Sequence, residues 1–277
     1  MKTLSILIPA HNEALYLPGC MEALLASDPV AASVEMIVIA NGCTDDTGAV
    51  AQGYEERALL KGWALTVLDL PQGGKLSALN AGEEAAQGDA LIYLDADVAV
   101  SPPLIAQLAQ ALATGTARYA SGQPNVTVGD SVVTRHYTRF WRGVPFMTRG
   151  VPGFGVFAMN RAGRARWGAW PDIISDDTFA RLNFAPDERI AVPAAYDWPM
   201  IEGFAALVRV RRRQDAGVAE IEVLYPALIS NDDPMDGAAP LWTRALRDPV
   251  AFGVFMAVRT AVRSPIFRSD NRWVRGR

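Results

Sequence analysis

Two pairs of carboxylates carry most of the chemistry that this sequence offers. Asp95 and Asp97 flank one small residue, Ala96, at the end of the apolar run 90–94. Carboxylates spaced this way gather a hard cation such as Mg²⁺ or Mn²⁺, which prefers oxygen ligands and bridges phosphate groups. Asp176 and Asp177 are adjacent, with Ser175 before them and Arg181 shortly after. An acid there either complements a helix N-terminus, with Ser175 as its cap, or accepts a proton. Taken alone, Asp-x-Asp reads equally well as a solvated turn, and adjacent acids opening a helix read as dipole partners. The elements around them must decide.

Those elements alternate. Residues 4–9, 35–40, 63–70 and 90–94 are short apolar runs of the kind buried in a parallel sheet. Leu15, Cys20, Met21, Leu24 and Leu25 form a stripe that predicts a helix over 14–26. Asn41-Gly42 is a turn pair, and Thr44, Asp45 and Asp46 suit the cap and first turn of a second helix. Lys75 opens a third, carrying Leu76, Leu79 and Ala85. Strand and helix in alternation imply right-handed crossovers and an α/β fold with a largely parallel sheet. Parallel strands share a direction, so Glu13, Asn41, Asp45, Lys75, Asp95 and Asp97 arrive at one edge, where open α/β sheets bind ligands. No Gly-x-Gly-x-x-Gly follows the first strand, and no phosphate loop ending in Gly-Lys-Ser/Thr occurs. Gly73-Gly74-Lys75 by itself is a loop and a helix start.

The composition sets bounds on what such an edge serves. The chain has 277 residues, half of them hydrophobic, enough for a large core. Its net charge of −4 argues against a nucleic-acid binder that relies on a basic surface, so an anionic ligand must be held by a local site. The two cysteines, Cys20 and Cys43, are too few for a disulfide framework and lead us to expect packing thiols in a cytoplasmic protein. The apolar start, 4–10, meets His11-Asn12-Glu13 instead of a cleavage site and is read as a strand, not a signal peptide.

Four segments together resemble a known family, the inverting family 2 glycosyltransferases of GT-A type, which use nucleotide-diphosphate sugars. They are Ser5-Ile6-Leu7-Ile8-Pro9-Ala10-His11-Asn12-Glu13, then Val38-Ile39-Ala40-Asn41-Gly42-Cys43-Thr44-Asp45-Asp46-Thr47, then Gly74-Lys75-Leu76-Ser77-Ala78-Leu79-Asn80-Ala81-Gly82, and Asp95-Ala96-Asp97. The match covers the first hundred residues and continues more faintly to about 217. The resemblance implies a GT-A fold, a mainly parallel sheet flanked by helices, over residues 1–230. Within it, 1–120 would be the nucleotide-sugar half and 121–230 the acceptor half, with 231–277 a basic helical extension. It implies that Pro9, Ala10, His11, Asn12, Glu13, Asn41, Asp45 and Lys75 surround a UDP- or GDP-linked sugar. Asp95, with Ala96 beside it, would lie near the ribose, and Asp97, helped by Asp95, would hold Mg²⁺ or Mn²⁺. Gly153, Phe154 and Gly155 would form an acceptor-side loop for a saccharide, lipid or small molecule. Asp177 matches the family's catalytic base by position, with Asp176 as the neighbour that raises its basicity. Arg211 and Arg213 fall in a segment that the family places near the diphosphate.

Departures from the pattern matter too. The acidic residue that commonly touches the base falls on Ala40, and the late His that often completes the metal site is absent, since only His11 and His136 occur. Metal binding would then rest on Asp97, the diphosphate oxygens and water, while His136 reads as an ordinary helix residue. A full Gln-x-x-Arg-Trp motif is missing, which suggests single transfer and not processive synthesis. The segment 121–151, where Arg135, Arg139, Arg142 and Arg149 interleave with aromatics, predicts a helix packed by its rings and solvated by its arginines. Arg209, Arg211, Arg212 and Arg213 sit on another helix. The run 250–258, with Arg259, Arg263, Arg268, Arg272, Arg275 and Arg277 after it, fits either a helix docked on its own domain or an anchor on the inner face of a membrane. Two rival functions share parts of this pattern. A sugar-phosphate nucleotidyltransferase needs a Gly-rich basic loop after the first strand, where Pro9-Ala10-His11-Asn12 stands, and an inactive binding module would keep nucleotide affinity without turnover.

Overall fold

The computed structural model describes residues 1–233 and 241–264. In chain order the elements are β1 (Thr3–Ala10), α1 (Leu17–Leu25), β2 (Ser33–Asn41), α2 (Thr47–Gln52), α3 (Glu55–Lys61), β3 (Ala64–Leu70), α4 (Lys75–Ala85), β4 (Ala90–Leu94), β5 (Ala99–Val100) and α5 (Leu104–Leu112). The chain continues through β6 (Tyr119–Thr127), α6 (Val132–Trp141), α7 (Pro145–Thr148), β7 (Val156–Asn160), α8 (Arg161–Arg164), α9 (Asp176–Leu182), β8 (Arg189–Pro199), α10 (Phe204–Leu224), α11 (Leu241–Arg247) and α12 (Pro249–Arg263).

The eight strands form one sheet in the order β3-β2-β1-β4-β7-β6-β8-β5. Its first half is parallel, with Leu4 opposite both Val34 and Ala90. Leu4, Ile6, Leu7 and Ile8 of β1 are wholly buried, as a central parallel strand covered on both faces requires. Beyond β4 the pairing turns antiparallel, β4 to β7 and β7 to β6, so the sheet is mixed. The sequence patterns did not indicate β6 or β8. Gly122 and Pro124 interrupt the apolar signal of β6, and Pro193 that of β8. Gly122 is required by close approach, since a Cβ there would lie 2.6 Å from the Ala194 carbonyl oxygen. The expected helix over 121–151 is therefore a strand followed by α6, which starts where Ser131 accepts the Thr134 N–H. The helix expected from residue 14 begins at Leu17 instead. Tyr16 and Leu17 N–H groups close a turn on the Glu13 carbonyl, Pro18 sets the first helical turn, and Leu15 is left 79% exposed.

The chain separates into two compact units. One comprises Met1–Asn125, Gly153–Asp172 and Asn183–Trp198; the other comprises Val126–Pro152, Ile173–Leu182 and Pro199–Arg277. They interleave along the sequence because β7 and β8 return to the sheet that β1 to β4 begin. In the first unit, Glu83 of α4 ties three elements together. It accepts from Tyr93 Oη and Trp170 Nε1 at 2.6 Å each, and pairs with Arg164 Nε at 2.7 Å. Burial, with the Glu83 charge added, pushes the Tyr93 phenol well above its ordinary value, so it stays a donor. Glu83→Ala leaves the Arg164 charge buried without its partner, and we expect a stability loss of roughly 3–5 kcal/mol in denaturant titrations. A loss under about 1 kcal/mol, the size of an exposed ion pair, would show that Glu83 is not the tie described.

In the second unit α12 docks on α6. Phe140 meets Phe252 and Phe255 at ring-centre distances of 5.5 and 4.7 Å, and Tyr137 stacks on Phe255 at 5.7 Å. Asp248 caps α12 by accepting the Ala251 N–H, and its carboxylate pairs with Arg139 at 2.7 Å. At the other end Arg212 donates to the carbonyls of Ala261, Val262 and Ser264. The run 250–258 is thus a docked helix, while Arg268, Arg272, Arg275 and Arg277 lie outside the described residues. No described helix is long and apolar enough to cross a membrane.

Candidate active site

The C-terminal ends of β1, β2 and β4 meet α4 at one edge of the sheet, and hydrogen bonds hold the residues there in place. Asn41, buried at the end of β2, is the hub. Its Nδ2 donates to the Ala10 and Ile39 carbonyls at 2.9 and 3.2 Å, and its Oδ1 accepts the Gly74 N–H at 3.0 Å, just before α4. His11 Nδ1 lies 2.6 Å from the Asn41 carbonyl oxygen. One side chain thereby fixes β1, β2 and the start of α4 together.

Pro9 and Ala10 end β1, and Asn12 turns the chain with φ of 55°, in the left-handed region that Asn tolerates. Asn12 Oδ1 accepts the N–H groups of Thr44 and Asp45 at 2.6 and 3.2 Å. Asp45 in turn accepts the N–H of Ala14 at 3.2 Å and that of Thr47, the first residue of α2, at 3.1 Å. The Glu13 N–H donates to Thr47 Oγ1 at 2.7 Å. Capping of α2 thus comes from Asp45, while Asp46 at the cap position makes no side-chain cap bond. Gly42 has φ of 57°, and a Cβ there would sit 2.5 Å from the backbone nitrogen of Gly73, so only glycine lets the two loops touch. Patterns of residue type indicated Asn41 and Asp45. Thr47 and Cys43, whose thiol accepts the Asn12 N–H at 3.3 Å, escaped because nothing local marks a contact made across two loops.

At the end of β4 the carboxylates of Asp95 and Asp97 are partly exposed, on either side of buried Ala96. Lys75, the first residue of α4, donates from Nζ to Asp95 Oδ1 at 2.9 Å. Beneath them Cys20 of α1 is buried. Burial, with the charges of Asp97 and Asp95 added, pushes its thiol far above the ordinary range, so it remains an inert packing residue. The Asp95 N–H donates to the Gly155 carbonyl at 2.9 Å, which joins the loop Gly153-Phe154-Gly155 to the carboxylate pair. Phe154 itself is buried, edge-on to Trp198 at 4.9 Å, with its carbonyl accepting from Tyr196 Oη at 2.7 Å. Its ring belongs to the packing, and the loop meets the edge through its backbone. Among the described residues no three His, Cys, Asp or Glu side chains gather as a metal site. Two half-exposed carboxylates still suit a hard cation that takes its other ligands from phosphate oxygens and water.

The second unit carries the other carboxylate pair. Asp176 is buried and Asp177 half-buried at the start of α9. Asp177 Oδ1 accepts the Thr178 N–H at 2.7 Å and lies 2.8 Å from Ser175 Oγ, so Ser175 orients the carboxylate. Around it, Glu220 of α10 accepts the Ile174 N–H at 2.7 Å, and Gly217 leaves no room for a side chain, since a Cβ would lie 2.9 Å from that of Ser175. Arg181, almost wholly buried, pairs with Asp232 and Asp233 at 2.8 and 3.1 Å. Arg211 and Arg213 are both on α10, where two residues apart means a turn of about 200°. Arg211 is taken up by Gln214 and Asp215.

The mixed sheet with its carboxylate edge is the architecture of a GT-A type glycosyltransferase. Solved structures share it: the mannosyltransferase PcManGT from Pyrobaculum calidifontis, in complex with GDP-Man and Mn²⁺, superposes with a TM-score of 0.60 at 20% identity, covering 93% of this chain and 73% of that one. TarS from S. aureus, in complex with UDP-GlcNAc, gives 0.53 at 15% identity, covering 95% and 82%. The model of Glycosyl transferase family 2 matches residues 5–184, and the chain belongs to that family. Curated relatives include an undecaprenyl-phosphate 4-deoxy-4-formamido-L-arabinose transferase of Aeromonas hydrophila, 32% identical over 42% of this chain and 35% of its own length. A dolichyl-phosphate beta-glucosyltransferase of Drosophila melanogaster is 33% identical over 36% of this chain and 32% of its own. The chain therefore spans about a third of the length of these relatives.

Proposed function

We propose that this glycosyltransferase moves a sugar from a UDP- or GDP-linked donor to an acceptor hydroxyl, with inversion and one sugar per encounter. The observation that carries this reading is the edge itself, where Asn41 locks β1, β2 and α4 and the Lys75–Asp95 pair stands beside Asp97. In this reading the backbone and side chains of residues 9–13, Asn41 and Asp45 enclose the nucleotide, and Asp95 with Ala96 meets the ribose. Lys75 gives positive charge at the start of a helix whose N-terminal dipole also favours an anion. Asp97 would hold Mg²⁺ or Mn²⁺, with Asp95 beside it, and that ion would neutralise charge on the leaving diphosphate.

The chain's own residues do the remaining work. Asp177, oriented by Ser175 and Thr178, takes the proton of the acceptor hydroxyl as its oxygen attacks the anomeric carbon. The oxygen–carbon bond forms as the bond to the diphosphate breaks, so configuration inverts. Asp176 is the like-charged neighbour that supports the base, the Glu220 anchor holds that segment in place, and the backbone of Gly153-Phe154-Gly155 borders the acceptor. A saccharide, lipid or small molecule fits this role. The two relatives named for undecaprenyl phosphate and dolichyl phosphate favour a lipid among these, and in this reading the protein works at the inner face of a membrane. The test is a thermal-shift screen of UDP- and GDP-sugars with and without Mn²⁺. One donor class should raise the melting temperature well above the others, and clearly more with the metal than without it. Equal stabilisation with no metal, or none by any donor, would overturn the reading.

A further inference from the structure

A cavity of about 270 Å³ lies among α6, α10 and α12 of the second unit, and its lining is strongly cationic. Arg211 comes from α10, Arg259 and Arg263 from α12, and Asp215 is the single acid among the described residues of the lining. Tyr137 of α6 and Phe255 of α12 complete an aromatic wall. Asp215 lies 3.3 Å from Arg211, which leaves the charges of Arg259 and Arg263 unbalanced by the lining. Those two arginines are four residues apart on one helix face, where like charges repel.

A role for them in capping α12 does not account for this arrangement. The last carbonyls of the helix, those of Ala261, Val262 and Ser264, already accept from Arg212. Tyr137 lines the same space, and burial raises its phenol, so the hydroxyl there stays protonated.

We propose that this cavity binds a phosphate group carrying a small organic part. Guanidinium groups are planar forks that meet two phosphate oxygens at once, and the exposed Arg259 and Arg263 line one space with Arg211. The Phe255 side of the cavity takes the carbon portion. Size separates this ligand from a sugar donor: 270 Å³ falls just below the range of roughly 300–1,000 Å³ usual for drug-sized ligands, too little for a nucleotide-diphosphate sugar. A small phosphorylated metabolite and the headgroup of an anionic phospholipid present the same chemistry, and experiment distinguishes them.

The experiment uses the full chain without divalent metal, with inorganic phosphate against sodium chloride at matched ionic strength. At about tenfold excess over Kd, phosphate should raise the melting temperature by roughly 3–6 °C. The double substitution Arg259→Gln with Arg263→Gln should abolish that rise, and Arg259→Lys with Arg263→Lys should restore much of it. Sedimentation with vesicles of phosphatidylcholine plus phosphatidic acid, compared with phosphatidylcholine alone, then names the source. Binding to the acidic vesicles, lost in the double Gln variant, assigns a lipid headgroup; a phosphate response without vesicle binding assigns a soluble phosphate. No phosphate-specific rise in the unmodified chain overturns the proposal, as does a rise that the double Gln variant keeps. Loss of Mn²⁺-dependent nucleoside-diphosphate affinity in that variant would also overturn it, because the arginines would then belong to the donor.

Discussion

Asp177→Asn should lower sugar transfer by roughly 10²–10⁴-fold at saturating donor while leaving fold and donor affinity intact. The amide keeps the shape of the carboxylate and an oxygen to accept from Ser175 and Thr178, so the local hydrogen bonds survive in part. What it lacks is the ability to take a proton. The competing role, a partner for the α9 dipole, is worth roughly 0.3–1 kcal/mol and would show in melting temperature, with turnover nearly unchanged. The two roles thus move different observables. Asp176→Asn supplies the internal comparison, since a neighbour that only supports the base should cost less transfer. An Asp177→Asn enzyme that retains full activity would remove the proposed base and leave the acceptor proton without a destination.

Much of the edge was legible in sequence for a physical reason. Parallel strands end on the same side, so polar residues that directly follow apolar runs must gather there, and Glu13, Asn41, Asp45, Lys75 and Asp95 are joined at that edge. The α/β class was legible through the same alternation, and the GT-A type through the resemblance of the four segments around residues 5–13, 38–47, 74–82 and 95–97. The antiparallel half of the sheet was not. β6 carries Gly122 and Pro124, and β8 carries Pro193, so neither shows an unbroken apolar pattern although Val192, Ala194 and Tyr196 are buried in alternation. Contacts made at long range were also hidden. Nothing near residue 174 announces that Glu220 will hold its N–H, or that Arg181 will pair with Asp232 and Asp233 instead of facing a ligand. The contacts of Arg211 with Gln214 and Asp215, three and four residues on, are made along its own helix.

Asp97→Ala should abolish turnover and weaken Mn²⁺-dependent binding of UDP or GDP by at least the roughly 10–100-fold that loss of an outer-sphere partner alone costs a metal site. The expectation follows from how few protein ligands the edge supplies. Asp95 has one oxygen committed to Lys75 at 2.9 Å, and no cluster of three or more ligating side chains occurs among the described residues. With so few anchors, removal of Asp97 leaves the cation held mainly by the nucleotide it is meant to position. Lys75→Ala makes the contrast. That substitution frees Asp95 and adds negative charge at the edge, so nucleotide affinity should fall even without metal, whereas Asp97→Ala should change metal-free affinity little or raise it by removing a like charge. Calorimetric titration of nucleoside diphosphate into both variants, each with Mn²⁺ and with chelator, separates the two effects. If Asp97→Ala binds with the same Mn²⁺ dependence as the unmodified chain, the cation is not anchored at Asp97, and the carboxylate pair is the solvated end of a strand.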